Sequence, residues 1–426
     1  MNLVAILLAG GQGSRLSILS QRRAKPAVPF GGAYRIIDFT VSNAMHAQIP
    51  ALGIATQYKP SSLMEHFGTG EWWGYMGRGR VARILPPYTG EADSDWYKGT
   101  ADAVWQNRQF IQRFHPDIVV VLSGDHIYYM DYLQMVDFHV KSRADATVAL
   151  QEVPWEETSR FGLVQIAENG RVTAFQEKPK SNPVSNLASL GIYIFNADIL
   201  LRRLAEDAAD PTSDNDFGKN ILPAMQAQDR LFGWVFDGYW RDVGTIESYW
   251  QANMETLDPS SGLDLARWDV RTNYFDPRPG NDLPARICRG GRVRHSHIAR
   301  GCVIEGEVEN SIVFPGVHIG RNSVVRDSVI MNNCEIADDC LVDRAILDKD
   351  CVVDRSSRVG AGDNTVNKEF PHLLDSGITV LGKNVLLPPG TVLGRNALVF
   401  PGVRPEDLPG SEIESGATVR AAKPLW

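Results

Sequence analysis

The sequence predicts an α/β domain with a mainly parallel sheet, followed by a parallel β-helix. Three observations lead to this prediction: short apolar runs alternating with helical periodicity over residues 1–257, a stretch rich in Pro, Gly and Asp over 258–290, and a six-residue aliphatic repeat over 291–426. A chain of 426 residues is long enough for two or three domains. We therefore expect a first domain, a linker and a second domain with these boundaries.

Nearly continuous apolar runs are the strand signal in the first domain, and such runs fit strands buried on both faces of a parallel sheet. The runs are Val4–Ala9, Ile118–Ser123, Ala146–Gln151 and Gly191–Phe195. Between them, residues 100–113 have apolar side chains at helical spacing, with Thr100 as the expected N-cap. This βαβ pattern is typical of an open sheet whose ligands bind at the carboxyl ends of the strands.

The second domain repeats aliphatic residues every six positions, which is the pattern of a parallel β-helix with one inward side chain per hexad. The triplets are Val313, Ile319 and Val325; Ile330, Ile336 and Val342; Leu347, Val353 and Val359; the spacing resumes with Val380, Leu386, Val392 and Leu398. Chance periodicity in a β-sandwich is the alternative, and the number of aligned triplets disfavours it. Cys334 and Cys340 follow the same spacing, so we expect small buried apolar residues there and not metal ligands.

Composition excludes several classes of protein. A net charge of −8 and a pI near 5.7 give no global basic field, so neither nucleic acid nor an anionic membrane is an expected partner. No apolar run approaches the ~18 residues of a membrane span, and the apolar start lacks the cationic region of a signal peptide. The 5 cysteines include no CxxC pair, which disfavours a disulfide framework or zinc site. A cytoplasmic location is expected.

The first strand ends in a glycine-rich turn, "LAGGQGSRL", that contains Gly10, Gly11 and Gly13. Glycines let backbone N–H groups approach phosphate oxygens, and Arg15 and Lys25 follow as cations for a pyrophosphate. The loop has neither the third glycine of GxGxxG nor the Gly-Lys-Ser/Thr ending of a P-loop. A plain strand-to-helix turn therefore stays open as an alternative to a phosphate site.

Two carboxylates follow predicted strands. Asp125 lies just beyond the run "IVVVLS", and Asp242 lies beside the aromatic-rich stretch "GYW". Carboxylates from two strand ends suit Mg²⁺, which accepts few protein ligands and takes substrate phosphates as well. Each aspartate alone would be interpreted as a helix cap or turn residue. The two aspartates together with the cationic loop favour metal binding.

Further polar groups suit a phosphorylated ligand with a flat ring. Glu177 and Lys178, in "QEKP", can bind sugar hydroxyls and a phosphate. Tyr97, Gly99 and Thr100 precede a helix and can lie beside a base. An acyltransferase is the alternative that the β-helix raises, but it would need a histidine base, and His295, His297 and His318 are expected to be surface residues.

The motifs together carry a family resemblance. "LAGGQGSRLSILSQRRAKPAVPFGGAYRIIDF", "GTADAV", "LSGDHIY", "QEKP", "SLGIYIF" and "YWRDVGT" occur in this order, and the chain resembles bacterial glucose-1-phosphate adenylyltransferases over essentially its whole length. The resemblance implies a Rossmann-like nucleotidyltransferase domain with a mixed, mostly parallel sheet, followed by a C-terminal left-handed parallel β-helix of hexapeptide repeats.

The resemblance also implies a reaction: AMP passes from ATP to α-D-glucose 1-phosphate, giving ADP-glucose and pyrophosphate at the first committed step of glycogen biosynthesis. Arg15 and Lys25 would hold the triphosphate, and Asp125 and Asp242 would hold Mg²⁺, all four being expected catalytic residues. Glucose 1-phosphate would contact Tyr97, Gly162, Glu177, Lys178 and Ser189. The nucleotide would contact Gly10, Gly11, Gly13, Arg15, Lys25, Gln57, Gly99 and Thr100. No protein nucleophile is required, because positioning and charge neutralisation supply the rate.

Regulation and assembly are also expected from the resemblance: a homotetramer that responds to small-molecule allosteric effectors. Ala33 stands in "FGGAYRIIDF" where members activated by fructose 1,6-bisphosphate have a lysine, so we do not expect activation by that sugar through this site. Two alternative functions remain open, a uridylyl- or thymidylyltransferase of the same superfamily and a non-catalytic regulatory subunit. The second alternative would be expected to lack some of the four catalytic residues, and all are present.

Overall fold

The computed structural model describes residues 1–11, 13–77, 79–87, 96–275 and 278–422. The chain divides into two compact units, neither of which is continuous in sequence. The first unit consists of Met1–Gly11 and Ile37–Trp240, and the second of Gln12–Ile36 and Arg241–Trp426. The domain boundaries that we placed after residues 257 and 290 stay a prediction.

Strands and helices alternate up to residue 255. The strands are β1 (Leu3–Leu8), β2 (Pro29–Phe30), β3 (Tyr34–Arg35), β4 (Ala51–Ala55), β5 (Val81–Leu85), β6 (Ile118–Ser123), β7 (His126–Tyr128), β8 (Ala146–Glu152), β9 (Gly162–Ile166), β10 (Val172–Glu177), β11 (Leu187–Asn196), β12 (Leu231–Val235) and β13 (Trp240–Asp242). The helices are α1 (Ile36–His46), α2 (Ser61–Phe67), α3 (Thr100–Gln106), α4 (Arg108–Arg113), α5 (Tyr132–Lys141), α6 (Ala197–Ala209), α7 (Leu222–Gln228) and α8 (Ile246–Glu255). Short 3₁₀ segments cover Ser14–Ser20, Lys25–Ala27, Glu71–Trp73, Trp155–Arg160 and Pro405–Asp407, and a π turn covers Phe217–Ile221.

The first unit is built on one mixed, mostly parallel sheet of 9 strands, as predicted. Its order is β10-β9-β11-β6-β1-β4-β5, and β8 pairs with both β11 and β12. Strands β6, β1, β4 and β5 are mutually parallel, whereas β11 runs antiparallel to its neighbours β6, β8 and β9. The apolar runs of β1, β4 and β6 are buried on both faces. Because these strands are parallel neighbours, their carboxyl ends share one edge of the sheet.

The helix predicted over residues 100–113 is interrupted, and the predicted cap is wrong. Helices α3 and α4 meet at Asn107, and the N-cap of α3 is Gly99. Thr100 is instead the first residue of α3, and its hydroxyl accepts from the Phe217 amide at 3.0 Å and donates to Asp216 Oδ2 at 2.9 Å. At the break, Asn107 Nδ2 donates to the Ala103 carbonyl at 2.8 Å, and side-chain amides that compete for backbone groups in this way disturb a helix.

The second unit contains a left-handed parallel β-helix with three parallel sheets, which confirms the predicted fold. The strands are β14 (Arg286–Ile287), β15 (Arg292–Arg294), β16 (His297–Ile298), β17 (Val303–Ile304), β18 (Glu307–Glu309), β19 (Ile312–Val313), β20 (His318–Ile319), β21 (Val324–Arg326), β22 (Val329–Ile330), β23 (Glu335–Ile336), β24 (Leu341–Asp343), β25 (Ala345–Leu347), β26 (Val352–Val353), β27 (Arg358–Ala361), β28 (Thr379–Leu381), β29 (Leu386–Leu387), β30 (Val392–Gly394), β31 (Leu398–Val399), β32 (Glu412–Ile413) and β33 (Thr418–Val419). No helix among the described residues combines the length and apolar character needed to cross a bilayer.

The interior of the β-helix is filled mainly by aliphatic side chains of its strands. The first three predicted triplets, from Val313 to Val359, are buried in this core, and so are Cys334 and Cys340, as predicted. The last predicted row is wrong by one residue: the core contains Leu381, Leu387, Leu393 and Val399. Leu347 pairs in register with Leu381, so the interior row continues through those residues and not through Val380.

The error in the last row has a simple cause in the sequence. Each strand from β28 to β31 carries two adjacent aliphatic residues, such as Leu386 and Leu387, so a hexad count fits either one. A shift of one residue moves a side chain to the opposite face of a strand. The inserted segment 362–378 separates these strands from β27, so the six-residue count of the earlier coils cannot be continued directly into β28.

The corrected register can be tested with two adjacent substitutions. We expect Leu387→Ala to lower the free energy of unfolding by about 2–5 kcal/mol, because it opens a cavity in the β-helix core. The matched control Leu386→Ala, on the half-buried outer face, should cost at most about 1 kcal/mol. Chemical denaturation of both variants measures the difference. A larger loss for Leu386→Ala than for Leu387→Ala would contradict the register.

Candidate active site

The glycine turn begins where β1 ends, at the edge of the sheet where β4 ends as well. The Ala9 amide donates to the Ala55 carbonyl at 2.8 Å, which holds the two strand ends together. A Cβ on Gly10 would lie 3.8 Å from the Cβ of Gln57, whereas one on Gly11 would have no atom within 4 Å. Gly10, Gly11 and Gln57 therefore lie together, and the backbone at Gly11 can be approached by a ligand.

The side chain of Gln57 and the backbone of Tyr97 are joined by two hydrogen bonds. The Tyr97 amide donates to Gln57 Oε1 at 2.8 Å, and Gln57 Nε2 donates to the Tyr97 carbonyl at 3.4 Å. The phenol of Tyr97 donates to the Leu85 carbonyl and accepts from Asn107 Nδ2, both at 2.9 Å. These bonds fix the predicted nucleotide residue Gln57 to the predicted sugar residue Tyr97.

Gly99 is required by a close backbone approach. A Cβ there would lie 2.2 Å from the Asn215 carbonyl oxygen, so a side chain cannot be accommodated. Next to it, the Thr100 hydroxyl accepts from the Phe217 amide at 3.0 Å and donates to Asp216. The predicted nucleotide residues Gly99 and Thr100 therefore position the segment 214–217 against the start of α3.

Asp125 follows the carboxyl end of β6, as the sequence predicts. Its Oδ1 accepts from the Ser123 hydroxyl at 2.5 Å and lies 3.3 Å from His126 Nε2. The loop is attached to α1, because the Thr40 hydroxyl donates to the Ser123 carbonyl at 3.0 Å. Two neighbouring groups thus orient a carboxylate that is one-third exposed.

Glu177 lies in a space that two glycines create. Its Oε2 is 2.7 Å from the place where a Cβ on Gly162 would stand, and 2.6 Å from that of Gly218. Lys178 Nζ lies 3.0 Å from Glu177 Oε1 and is mostly exposed. The structure therefore brings Gly162, Glu177 and Lys178 together, and it assigns Gly162 the role of leaving room for a carboxylate.

Sequence reasoning missed Trp240 in this region. Its ring packs edge-on against His126 and Phe161, with centroids 5.0 and 5.6 Å apart. Its indole N–H and the buried hydroxyl of Ser189 have no hydrogen-bond partner among the described residues. The sequence signal that could have identified Trp240 was its position directly before the "RD" of "YWRDVGT". Only its buried indole N–H without a partner distinguishes it from an aromatic residue that serves packing alone.

Ser189 lies at an irregularity of β11, where the strand passes close to Ser123 and His126. The pairing register of β11 with β8 shifts between Ser189 and Tyr193, and Gly191 adopts a φ of 68° within the shift. A Cβ on Gly191 would lie 3.4 Å from Ser123 Cβ and 4.0 Å from His126 Cε1. Burial raises the pKa of the Tyr193 phenol, so this group stays neutral. Buried donors without a partner, in the same unit as the Glu177 carboxylate, are suited to a ligand rich in hydroxyl groups.

The cations of the glycine turn belong to the second unit. Gly13 has a φ of 63° and precedes the 3₁₀ segment that carries the exposed Arg15. A Cβ on Gly13 would lie 3.1 Å from the Cβ of Lys25, and Lys25 Nζ lies 2.9 Å from Asp242 Oδ1 with both side chains buried. A predicted phosphate ligand and a predicted metal ligand are therefore an ion pair.

The predicted residues fall into two groups, one in each unit. The first unit holds Gly10, Gly11, Gln57, Tyr97, Gly99, Thr100, Asp125, Gly162, Glu177, Lys178 and Ser189; the second holds Gly13, Arg15, Lys25 and Asp242. The carboxylate oxygens of Asp125 and Asp242 are of the kind that Mg²⁺ prefers, so the donor chemistry fits this ion. That the two residues bind one ion together stays a prediction.

Comparisons with known proteins cover both parts of the chain. A family model described as nucleotidyl transferase matches residues 4–259, and one described as GlmU-like, C-terminal hexapeptide, matches residues 283–381. Among curated proteins, one from Acetivibrio thermocellus is 43% identical over 419 residues, which are 98% of this chain and 97% of that protein. One from Thermotoga maritima is 46% identical over 417 residues, 97% of this chain and 98% of that protein.

A third relative, from Desulforamulus reducens, is 45% identical over 389 residues, 91% of this chain and 95% of that protein. All three relatives are named glucose-1-phosphate adenylyltransferase. Because their similarity runs through the sheet, the glycine turn and the β-helix alike, the chain belongs to the glucose-1-phosphate adenylyltransferase family of nucleotidyl transferases.

Proposed function

We propose that the protein transfers AMP from ATP to α-D-glucose 1-phosphate, forming ADP-glucose and pyrophosphate for glycogen biosynthesis. Similarity over 91–98% of the chain to relatives that bear this name is the observation that carries the proposal. The glycine turn with the buried Lys25–Asp242 pair supplies a matching chemistry, since it combines exposed backbone with a fixed positive charge.

The reaction is a substitution at the α-phosphorus of ATP. A phosphate oxygen of glucose 1-phosphate forms the new P–O bond, and the bond to the bridging oxygen breaks so that pyrophosphate leaves with the electron pair. The attacking phosphate is already anionic near neutral pH, so no side chain has to remove a proton. Arg15, Lys25 and the backbone of Gly10, Gly11 and Gly13 act by binding the triphosphate and stabilising the negative charge of the leaving group.

Asp125 and Asp242 are the proposed ligands of Mg²⁺. When bound, this ion supplies positive charge to phosphate oxygens as a Lewis acid. Within the protein, the Ser123 hydroxyl orients the carboxylate of Asp125, and the Lys25 ammonium orients that of Asp242. Each carboxylate is thus preorganised by at least one neighbouring donor.

The sugar phosphate is proposed to bind in the first unit. Glu177 accepts hydrogen bonds from hydroxyl groups, while the Ser189 hydroxyl and the Trp240 indole N–H provide buried polar groups with no protein partner among the described residues. Lys178, which is mostly exposed beside Glu177, provides the charge for the phosphate. Tyr97 and Gly162 complete the proposed sugar site, and Gln57, Gly99 and Thr100 border the proposed nucleotide site.

We further propose a cytoplasmic homotetramer that responds to small-molecule effectors. The β-helix provides flat parallel sheets and coil ends through which copies of the chain can associate. A uridylyl- or thymidylyltransferase and a non-catalytic subunit are the alternatives that the first experiment separates.

The decisive experiment measures pyrophosphate release by the purified protein with Mg²⁺ and glucose 1-phosphate, comparing ATP, UTP and dTTP. We expect kcat/KM for ATP to exceed that for the other nucleotides by at least about tenfold, a difference of roughly 1.4 kcal/mol in transition-state binding. A preference for UTP or dTTP would overturn the proposed substrate. Absence of turnover with every nucleotide would favour a regulatory subunit.

Asp125→Asn tests the proposed metal site. Removing one charge while keeping the shape should lower kcat/KM roughly 100-fold and raise the Mg²⁺ concentration needed for half-maximal activity. Asp131→Asn is a matched control, since Asp131 caps α5 by accepting from the Leu133 amide at 3.0 Å and asparagine caps equally well. Unchanged Mg²⁺ dependence in Asp125→Asn would rule out this role.

Glu177→Gln tests the proposed sugar site. Losing the charge of a hydrogen-bonding carboxylate should cost about 1.5–3 kcal/mol, or roughly a 10- to 100-fold increase in KM for glucose 1-phosphate. KM for ATP should stay within about twofold, because the change removes an interaction with one substrate. Glu168→Gln, in the exposed turn between β9 and β10, is the control that should leave both values unchanged. Equal increases in both KM values would contradict the assignment.

A further inference from the structure

A buried ion pair connects the cationic segment of the glycine turn to a coil of the β-helix. Arg23 Nη2 lies 2.8 Å from each carboxylate oxygen of Asp348. Only 5% of the Arg23 side chain and 1% of the Asp348 side chain are exposed. Asp348 directly follows β25, and its Oδ1 also accepts from the Lys349 amide at 2.7 Å. Both partners are therefore fixed and desolvated.

The reaction proposed above assigns no role to the Arg23–Asp348 pair. A contribution to stability does not by itself explain why this ion pair is present. Desolvating two charges costs several kcal/mol, so a buried pair often stabilises a protein no more than apolar side chains of similar size. Such pairs can instead specify one arrangement of the chain, because every other arrangement leaves a buried charge unpaired.

Arg23 is two residues from Lys25, and the chain between them is rigid. The amides of Ala27 and Val28 donate to the carbonyls of Ala24 and Lys25 at 2.9 and 3.0 Å. Pro26 restricts the backbone within the same turn. A displacement of Arg23 is therefore passed on to Lys25, the cation proposed to bind the triphosphate.

The other end of the turn is held by α8. The Tyr249 hydroxyl donates to the Pro29 carbonyl at 2.5 Å, and the Gly31 amide donates to Asn253 Oδ1 at 2.9 Å. Lys25 thus lies between an anchor on α8 and an anchor on the β-helix. Loss of the Arg23–Asp348 anchor would leave the turn held by α8 and by the Lys25–Asp242 pair, without its contact to Asp348 of the β-helix.

Asp348 also compensates other positive charges. Burial, together with the nearby charges of Arg35 and Arg23, lowers the pKa of Lys349 to about 7, and the carboxylate of Asp348 opposes this shift. Without Asp348, the cations would repel one another and push Arg23 away from its observed position.

We infer that Arg23 and Asp348 form a positioning pair that holds Lys25 where it can bind the triphosphate of the nucleotide. This inference rests on the proposed function. Turnover of ATP and glucose 1-phosphate by the wild-type protein tests that function, whereas the comparison of variants below tests the inference.

The first variant is Asp348→Asn, which keeps the size of the side chain and removes its charge. We expect KM for ATP and the dissociation constant of ATP, measured by calorimetry without the sugar, to rise roughly tenfold, since small displacements of binding groups have effects of this size. KM for glucose 1-phosphate should stay within about twofold. Equal changes in both KM values, or a lower Tm with unchanged ATP binding, would overturn the inference.

Asp229→Asn is the matched control within the first unit. Asp229 is also buried and accepts from Arg203 Nε at 2.7 Å, so this change likewise removes the charge of a carboxylate that binds a buried arginine, although Arg203 keeps Glu206 as a second partner. We expect a lower Tm with normal KM values for both substrates. A tenfold rise in KM for ATP in this control would indicate a general effect of destabilisation and would overturn the inference.

A double variant decides the question if Asp348→Asn fails to fold. Arg23→Gln with Asp348→Asn removes both charges and keeps groups that can hydrogen-bond to each other, so the buried charge no longer destabilises the protein. We expect a folded protein whose dissociation constant for ATP is still raised, because the neutral pair holds the turn less tightly. A wild-type dissociation constant for ATP in the double variant would overturn the inference. Asp348→Glu should restore part of the ATP affinity.

Discussion

A buried charge must have a partner, and this requirement decides where the segment 13–36 belongs. The segment contains two buried cations, Arg23 and Lys25, whose partners Asp348 and Asp242 lie hundreds of residues later in the chain. Water cannot screen these charges, so each cation can be buried only where its carboxylate is present. The segment therefore groups with the β-helix and α8 and not with the sheet whose first strand it follows.

The same constraint shapes the chemistry of the site. The ammonium of Lys25 is held by the carboxylate of Asp242, and both side chains are buried. The carboxylate of Asp125 is held by the Ser123 hydroxyl, and that of Glu177 occupies the space left by Gly162 and Gly218. Charged groups fixed in this way need little rearrangement as a phosphoryl group is transferred, which is where preorganised sites gain their rate.

The spacing of apolar residues predicted the architecture, because it indicates which side chains of a strand or β-helix coil are buried. The run of β1, the apolar run of β6 and the triplets from Val313 to Val359 each have one dominant arrangement of apolar residues. Prediction failed where two arrangements were equally apolar, as at Leu386 and Leu387, or where a distant residue competed for a side chain. Asp216 engages the Thr100 hydroxyl, and nothing near Thr100 in the sequence indicates that contact.

Motifs located the candidate site residues, but they did not reveal what several of them do. Gly99 and Gly162 are glycines because a carbonyl oxygen and a carboxylate come within 3 Å of the place of a side chain. Trp240 became a candidate only through the burial of its unpaired N–H. Such roles depend on contacts between residues far apart in sequence, and periodicity and spacing carry no information about them.

The division of the chain has a consequence for protein engineering and for the exchange of domains between relatives. Cutting after residue 257 would yield a fragment containing the whole sheet, yet Arg23 would lose Asp348. The carbonyls of Thr256 and Leu257, just after α8, would lose their β-helix partners, His297 and His295. A chimera that joins this sheet to the β-helix of another family member would inherit residue 23 from one parent and residue 348 from the other. Compatibility at that single pair is then a condition for a working hybrid, however similar the parents are elsewhere.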